Sequence, residues 1–340
     1  MKNDIKEADT LFSKKIINWY ENSGRDDLPW RKNITAYRVW ISEIMLQQTQ
    51  VKTVVPFYRK FIKKYPNLKS LSGATEEDIL ALWTGLGFYR RAKNIFKTKE
   101  ILKENFKNRF PKKFKDIVSL PGIGNSTAGA IMSIAYKSPH PILDANVKRT
   151  ISRFESIKND STSKADKILW EYSLIHTPKK NIFEYTQGIM DMGATVCTPL
   201  SPSCDSCPLN KLCKSAFNIP KGGTKQKKVN PTKEINFVLA VTKKSLLLFK
   251  KLEKTFWESL WLPYELDEDN KLPWSHSFIK SKESNYKHKL SHLNLDLNVK
   301  ILYYDKKFKI KSNKKYKWIH MSEIDKFGLP KPIKSIIDEI

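Results

Sequence analysis

Between residues 10 and 196 the apolar positions recur three and four apart, as in Leu11, Ile16, Trp19 and Tyr20 and again in Val39, Trp40, Ile44 and Met45. That spacing lays them along one stripe of a helix. Pro66, Pro111, Pro121, Pro139, Pro141 and Pro178 interrupt the pattern, which predicts about ten short helices rather than a few long ones. After residue 234 the period shortens. INFVLAVTKKSLLLFKK and HLNLDLNVKILYYD alternate, or run in apolar and β-branched residues, as strands do. The closing MSEIDKFGLPKPIKSIIDEI reads as one or two helices. Between the two regimes PKGGTKQKKVNPTKE, residues 220–234, carries paired glycines, a lysine run and no apolar period, which reads as a linker. The expected organisation is α+β and multidomain: a helical domain over residues 1–219, a linker over 220–234 and an α/β domain over 235–340.

Charge narrows the class. Lys and Arg outnumber Asp and Glu by 62 to 35. The excess is not one tail, because 37 basic face 21 acidic residues up to position 222 and 25 face 14 beyond it. A polyanion is the expected partner. No apolar run is long enough to anchor in a membrane, so nucleic acid comes first, although a lysine-rich coding background gives the same sign. Arginine is the sharper signal. All nine lie between Arg25 and Arg153, and the planar fork of arginine is one that lysine cannot imitate. A lysine-biased chain that keeps Arg31, Arg38, Arg90, Arg91 and Arg149 either needs that geometry there or uses it on buried carboxylates.

All four cysteines fall in CTPLSPSCDSCPLNKLC, as Cys197, Cys204, Cys207 and Cys213. A disulfide framework would spread them through a small secreted chain, and the charged opening MKNDIKEADTLF has no secretory signal character. Metal ligation reads better than four inert thiols. Structural zinc favours two short C-x2-4-C arms, and here only Cys204 and Cys207 form one. Four thiolates around one centre suit an iron–sulfur cluster.

LPGIGNSTAGAI places Gly122 and Gly124 in a tight turn that opens a helix. Glycines let backbone approach a ligand, and the helix start offers free amides to an anion. No Lys-Ser/Thr follows, so this is not a nucleotide-binding P-loop. It reads as a helix-hairpin-helix element gripping a DNA phosphate, or as an ordinary glycine turn between packed helices. Glu43 stands among Trp40, Ile41, Ile44 and Met45; apolar surroundings disfavour its charge, so it can stay protonated near neutral pH. The plainer reading is a helix-surface glutamate. Asp144, in LDANVKR, could simply cap a helix.

Taken in order, SEIMLQQTQV, LWTGLGFYRRAKN, LPGIGNSTAGAI, LDANVKR, MDMGATVC and the C-x6-C-x2-C-x5-C loop resemble the MutY-type adenine DNA glycosylases, over roughly residues 10 to 215. The resemblance implies an all-α helix-hairpin-helix domain related to endonuclease III, with a [4Fe–4S] cluster held by Cys197, Cys204, Cys207 and Cys213. It implies excision of adenine mispaired with 8-oxoguanine or guanine in double-stranded DNA. In the roles it assigns, Glu43 protonates the flipped base, Asp144 stabilises the sugar cation, Asn146 orients Asp144, and Asp191 stands behind them. Gln47, Gln48 and Phe88 reach the mispair, while Gly122, Gly124 and Ser126 form the hairpin. Ser126 stands where strand-cutting relatives carry a Schiff-base lysine, and a hydroxyl cannot form one, so the expected enzyme is monofunctional. The second half is similar to the family's Nudix-like domain, yet no G-x5-E-x7-R-E-x-x-E-E-x-G box follows residue 222. Without those carboxylates for Mg²⁺, the domain is expected to bind rather than cut.

Two departures bear on lesion recognition. GLGFY replaces the family's GLGYY, so Phe88 stands in for a tyrosine, and Leu290-Ser291-His292 replaces Phe-Ser-His. Ser291 and His292 remain as the pair to read the damaged base. The alternatives are an endonuclease III-like glycosylase and lyase acting on oxidised pyrimidines, and a DNA-binding scaffold without activity. The resemblance also implies a monomer in the bacterial cytoplasm, working on the nucleoid.

Overall fold

The computed structural model describes residues 2–157, 162–218, 229–267, 269, 271–310 and 312–340, with side chains from Leu11 onward. The chain forms two compact units. The first is Met1–Gly73 with Lys97–Gly223, and the second is Ala74–Phe96 with Thr224–Ile340.

The first unit is helical. It holds α1 (Lys2–Ser23), α2 (Ala36–Leu46), α3 (Val51–Lys64) and α4 (Leu68–Leu71). Then α5 (Glu76–Trp83) and the start of α6 (Arg90–Phe106) lie in the second unit, and α6 runs on into the first. The first unit continues with α7 (Phe114–Val118), α8 (Asn125–Ala130), α9 (Ala145–Phe154), α10 (Ser163–His176) and α11 (Ile182–Thr195). Each of the six prolines that broke the apolar period falls between helices. Several starts are capped by short polar side chains: Thr35 accepts from the Arg38 N–H, Thr75 and Asp78 form a capping box, and Thr162 accepts from Ala165, which satisfies otherwise orphaned amides. The stripe on α2 is core, with Trp40, Ile41, Ile44 and Met45 buried. Close helix contacts are made through glycine: a β-carbon on Gly188 of α11 would lie 2.9 Å from Ile16 Cγ2 on α1.

The second unit is built on a sheet of β1 (Thr232–Val241), β2 (Ser245–Lys250), β3 (Trp261–Leu262), β4 (Tyr264–Glu265), β5 (Lys280–Lys289), β6 (Asn294–Tyr303) and β7 (Tyr316–His320), closed by α12 (Lys331–Asp338). The order is β3-β2-β1-β6-β5, with β4 also on β1 and β7 also on β2. Only the central β1–β6 pair is parallel among these strand pairs. Val238, Ala240, Leu247, Phe249, Tyr264, Trp274 and Leu302 form the heart of its core.

Three features differ from the sequence expectation. Of the segment read as a linker, 220–228 lie outside the described residues, while Thr232, Lys233 and Glu234 already belong to β1, paired with Asn294, Leu295 and Asp296. Those three residues are exposed, so strand pairing, not burial, recruits them. The edge strand β5, KSKESNYKHK, carries no apolar alternation and was not foreseen; its lysines suit an edge that must not recruit a further strand. Residues Ala74–Phe96 pack with the C-terminal unit, although the sequence boundary at 219 placed them with the helices. Trp261 Nε1 donates to Glu77, and α5 lies against the 3-10 turn Met321–Lys326.

Candidate active site

Glu43 sits half-buried on α2 among buried neighbours, and desolvation pushes its pKa up to about 8. The Asp144 carboxyl adds to the rise and the Arg31 guanidinium opposes it. The structure thus brings together two carboxyls that lie 101 positions apart in the sequence. Asp144 is the N-cap of α9. Its Oδ1 accepts from the main-chain N–H groups of Asn146 at 2.6 Å and Val147 at 2.9 Å. Burial raises its pKa as well, but those two amides and Arg149 favour its anion. Both carboxyls are thus raised by burial, and what distinguishes Asp144 is the pair of main-chain donors that favour its charged form, which has no counterpart among the causes of the Glu43 shift.

The surroundings of the pair are fixed by arginine forks and by close packing. Asp191 is fully buried on α11 and receives both nitrogens of a fork from Arg31, at 2.7 Å each, and Arg25 through its N–H, Nε and Nη2. Burial alone would raise Asp191, but the guanidiniums win and hold its carboxyl below the ordinary range. Arg149 donates to Asn146 Oδ1 at 2.8 Å and to the carbonyls of Gly193 and Cys197. The Asn146 group that meets Asp144 is therefore its peptide N–H, and its side chain belongs to Arg149.

The hairpin lies alongside. Gly122 adopts φ 79°, which favours glycine. Gly124 has φ −91°, and nothing lies within 4 Å of where its β-carbon would stand; local packing does not demand glycine there. Ser126 Oγ accepts from the N–H of Leu143 at 3.1 Å, tying the hairpin to the residue before Asp144. Gly129 lets α8 approach so closely that a β-carbon would stand 2.3 Å from the Pro141 carbonyl oxygen. Gln47 Nε2 donates to the Gly122 carbonyl at 3.3 Å, and Gln48 beside it is exposed at φ 56°. Phe88, Ser291 and His292 belong to the second unit. Phe88 is 46% exposed at φ 49°, a large apolar side chain presented to solvent. Ser291 and His292 stand exposed in the β5–β6 turn, with Ser291 Oγ 3.3 Å from His292 Nδ1. The forks of Arg25 and Arg31 on Asp191 were not assigned from sequence, where only the uneven use of arginine hinted at them.

Cys197, Cys204, Cys207 and Cys213 line one cleft of about 340 Å³ that opens partly to solvent, and none is in a disulfide. Burial pushes the Cys207 thiol up to about 11, with the other three thiols adding to the rise. Arg153 Nη1 donates to Cys197 Sγ at 3.3 Å. Among the described residues, no group of three or more His, Cys, Asp or Glu side chains closes around a single metal ion. Four thiols lining one cleft are a donor set that a cysteine-ligated metal centre can use. Lys214 spends its charge on Glu155 at 2.7 Å. No helix among the described residues is long and apolar enough to cross a membrane.

Residues 41–173, which contain Glu43, the hairpin and Asp144, match the family described as HhH-GPD superfamily base excision DNA repair protein. The adenine DNA glycosylase of Buchnera aphidicola subsp. Acyrthosiphon pisum is 39% identical over 96% of this chain and 97% of its own. That of the Schizaphis graminum subspecies is 40% identical over 96% and 98%. A solved thermostable thymine-DNA glycosylase superposes with a TM-score of 0.57 at 27% identity, covering 63% of this chain and 98% of its own. With likeness running over nearly the whole length of both sequences, and with the two carboxyls and the hairpin inside the matched region, this chain belongs to the adenine DNA glycosylases of the helix-hairpin-helix base excision repair superfamily.

Proposed function

We propose that the enzyme hydrolyses the N-glycosidic bond of adenine paired with 8-oxoguanine or guanine in duplex DNA, with Glu43 as general acid and Asp144 as electrostatic stabiliser. The single observation that carries this reading is the Glu43 pKa of about 8 beside Asp144, whose Oδ1 accepts from two main-chain amides that favour its anion. Two carboxyls with environments that separate their proton affinities are what glycosidic cleavage needs. The adenine leaves the stack, and Glu43 gives its proton to N7. The C1′–N9 bond breaks with its electron pair leaving on the base. The positive charge left on the sugar faces Asp144, and water adds at C1′, returning a proton to Glu43. Ser126 offers no amine for a Schiff base, so the product is an abasic site in an unbroken strand.

The four cysteines would hold a [4Fe–4S] cluster. When bound, it ties the thiols of the loop to one rigid centre. The second unit, a Nudix-like domain lacking the carboxylate box, would read the base opposite adenine through Ser291 and His292. Acting on DNA, the enzyme would work on the bacterial nucleoid, and the family resemblance implies a monomer.

The test uses end-labelled duplexes carrying A:8-oxoguanine, A:G, A:T or thymine glycol, with and without alkali. Alkali-dependent cleavage at adenine in the first two is expected. Cleavage at thymine glycol without alkali would favour the oxidised-pyrimidine lyase instead.

A further inference from the structure

The turn between α5 and α6 is conformationally demanding. Gly85, Gly87 and Phe88 have φ of 97°, 78° and 49°, and a phenylalanine in the left-handed region is uncommon and costly without support. Support comes first from below. The Trp83 indole N–H and the Arg91 guanidinium both donate to the Gly87 carbonyl, at 3.0 and 3.1 Å. The same guanidinium lies 5.4 Å from the Trp83 ring centre and 5.3 Å from that of Phe88.

It comes next from a residue 240 positions away. The Tyr89 hydroxyl donates to the Leu329 carbonyl at 2.7 Å and accepts from the Gly85 N–H at 3.3 Å. The Leu329 N–H donates to Thr84 Oγ1 at 3.1 Å. One buried residue, Leu329, is therefore gripped at both its N–H and its carbonyl from the two ends of the turn, by Thr84 and by Tyr89. Burial pushes the Tyr89 hydroxyl up to about 12, so it stays a donor at any working pH. Gly328 makes the approach possible: a β-carbon there would stand 2.7 Å from Leu80 Cβ. Its carbonyl accepts from the Trp261 N–H at 2.9 Å, which seats the segment on β3.

We propose that Tyr89 and Thr84 are positioning residues through which Leu329 holds Phe88 in its outward, left-handed posture for stacking on DNA. The C-terminal chain then does more than read the opposite base: it also sets the side chain that enters the duplex. This inference rests on the proposed function and on the role that the family resemblance implies for Phe88 at the mispair.

The experiment compares full-length wild type with Tyr89→Phe, Gly328→Ala and their double variant. Tyr89→Phe removes the hydroxyl and keeps the ring, while Gly328→Ala forces the segment away from α5. Single-turnover excision from an A:8-oxoguanine duplex is read alongside the fluorescence of 2-aminopurine placed next to 8-oxoguanine, with Phe88→Ala defining the unstacked signal. Each single variant should lose part of the stacking signal and roughly three- to tenfold in rate. The double variant should be no slower than the slower single one, because both act on one contact. Should Gly328→Ala fail to fold, Thr84→Val, which keeps shape and removes the acceptor, takes its place. Full stacking signal in Tyr89→Phe, or multiplicative losses in the double variant, would overturn the proposal. Wild type that releases no adenine would instead overturn the function on which it rests.

Discussion

A β-carbon on Gly193 would stand 2.7 Å from Cβ of Asn146. α11 therefore rests directly on the first turn of α9, with only a hydrogen at the contact. Because the Asn146 N–H holds Asp144 Oδ1, the register of these two helices fixes where the carboxylate stands. Gly193→Ala must push the helices apart by several tenths of an ångström. The expected result is a loss of roughly tenfold to a hundredfold in single-turnover excision, with about 1–3 kcal/mol of stability. An unchanged rate constant would show that this contact does not place Asp144.

Glu43→Gln keeps size and polarity but has no proton to give. It should abolish adenine release while duplex affinity, measured by fluorescence anisotropy, stays close to wild type. Asp144→Asn should be similarly inert, through loss of the charge facing the sugar cation. Excision within about tenfold of wild type by either variant would sink the corresponding role.

The pKa of Glu43 also predicts a pH dependence of stability. Between the ordinary glutamate value of 4.5 and about 8, the folded chain keeps a proton that the unfolded chain has lost. Stability therefore falls as pH rises through that window. Glu43→Gln removes the penalty, so its Tm should exceed that of wild type at pH 9 and match it more closely at pH 4.5. The gain at pH 9 should be on the order of 1–4 kcal/mol. Excision should also decline above about pH 8, as the acid is lost. A variant no more stable at high pH would mean that Glu43 ionises freely.

Replacing Ser291 and His292 together by alanine should reduce the ratio of excision rates on A:8-oxoguanine and A:G by roughly tenfold to a hundredfold. Both side chains are exposed in the β5–β6 turn, so circular dichroism and thermal melting should not change. An unaltered ratio would place lesion reading elsewhere.

The purified protein should contain iron and acid-labile sulfide in equal amounts and absorb broadly in the visible. Cys207→Ser should lose both. Zinc without iron would replace the cluster by a single-ion site.

Much of this was written locally. The helical stripe of α2, the six proline breaks, the strands β1, β2 and β6 and the spacing of the cysteines are all visible in short windows, because burial imposes a period and helices cannot pass those prolines. Glu43 and Asp144 were recognisable as candidates by their motifs. What no window contains is their proximity, through which the Asp144 carboxyl adds to the rise in the Glu43 pKa. The same holds for Asp191, whose partners Arg25 and Arg31 lie at least 160 positions away. β5 shows the limit from the other side: a polar sequence with no period became a strand because β6 offered it an edge of hydrogen bonds. The clasp of Tyr89 on Leu329 joins segments 240 positions apart, and the residues at its two ends carry no local signal of each other. Periodicity and spacing determine elements and donor sets; only packing decides which charged groups share a low-dielectric site and which turns are held against their own preference.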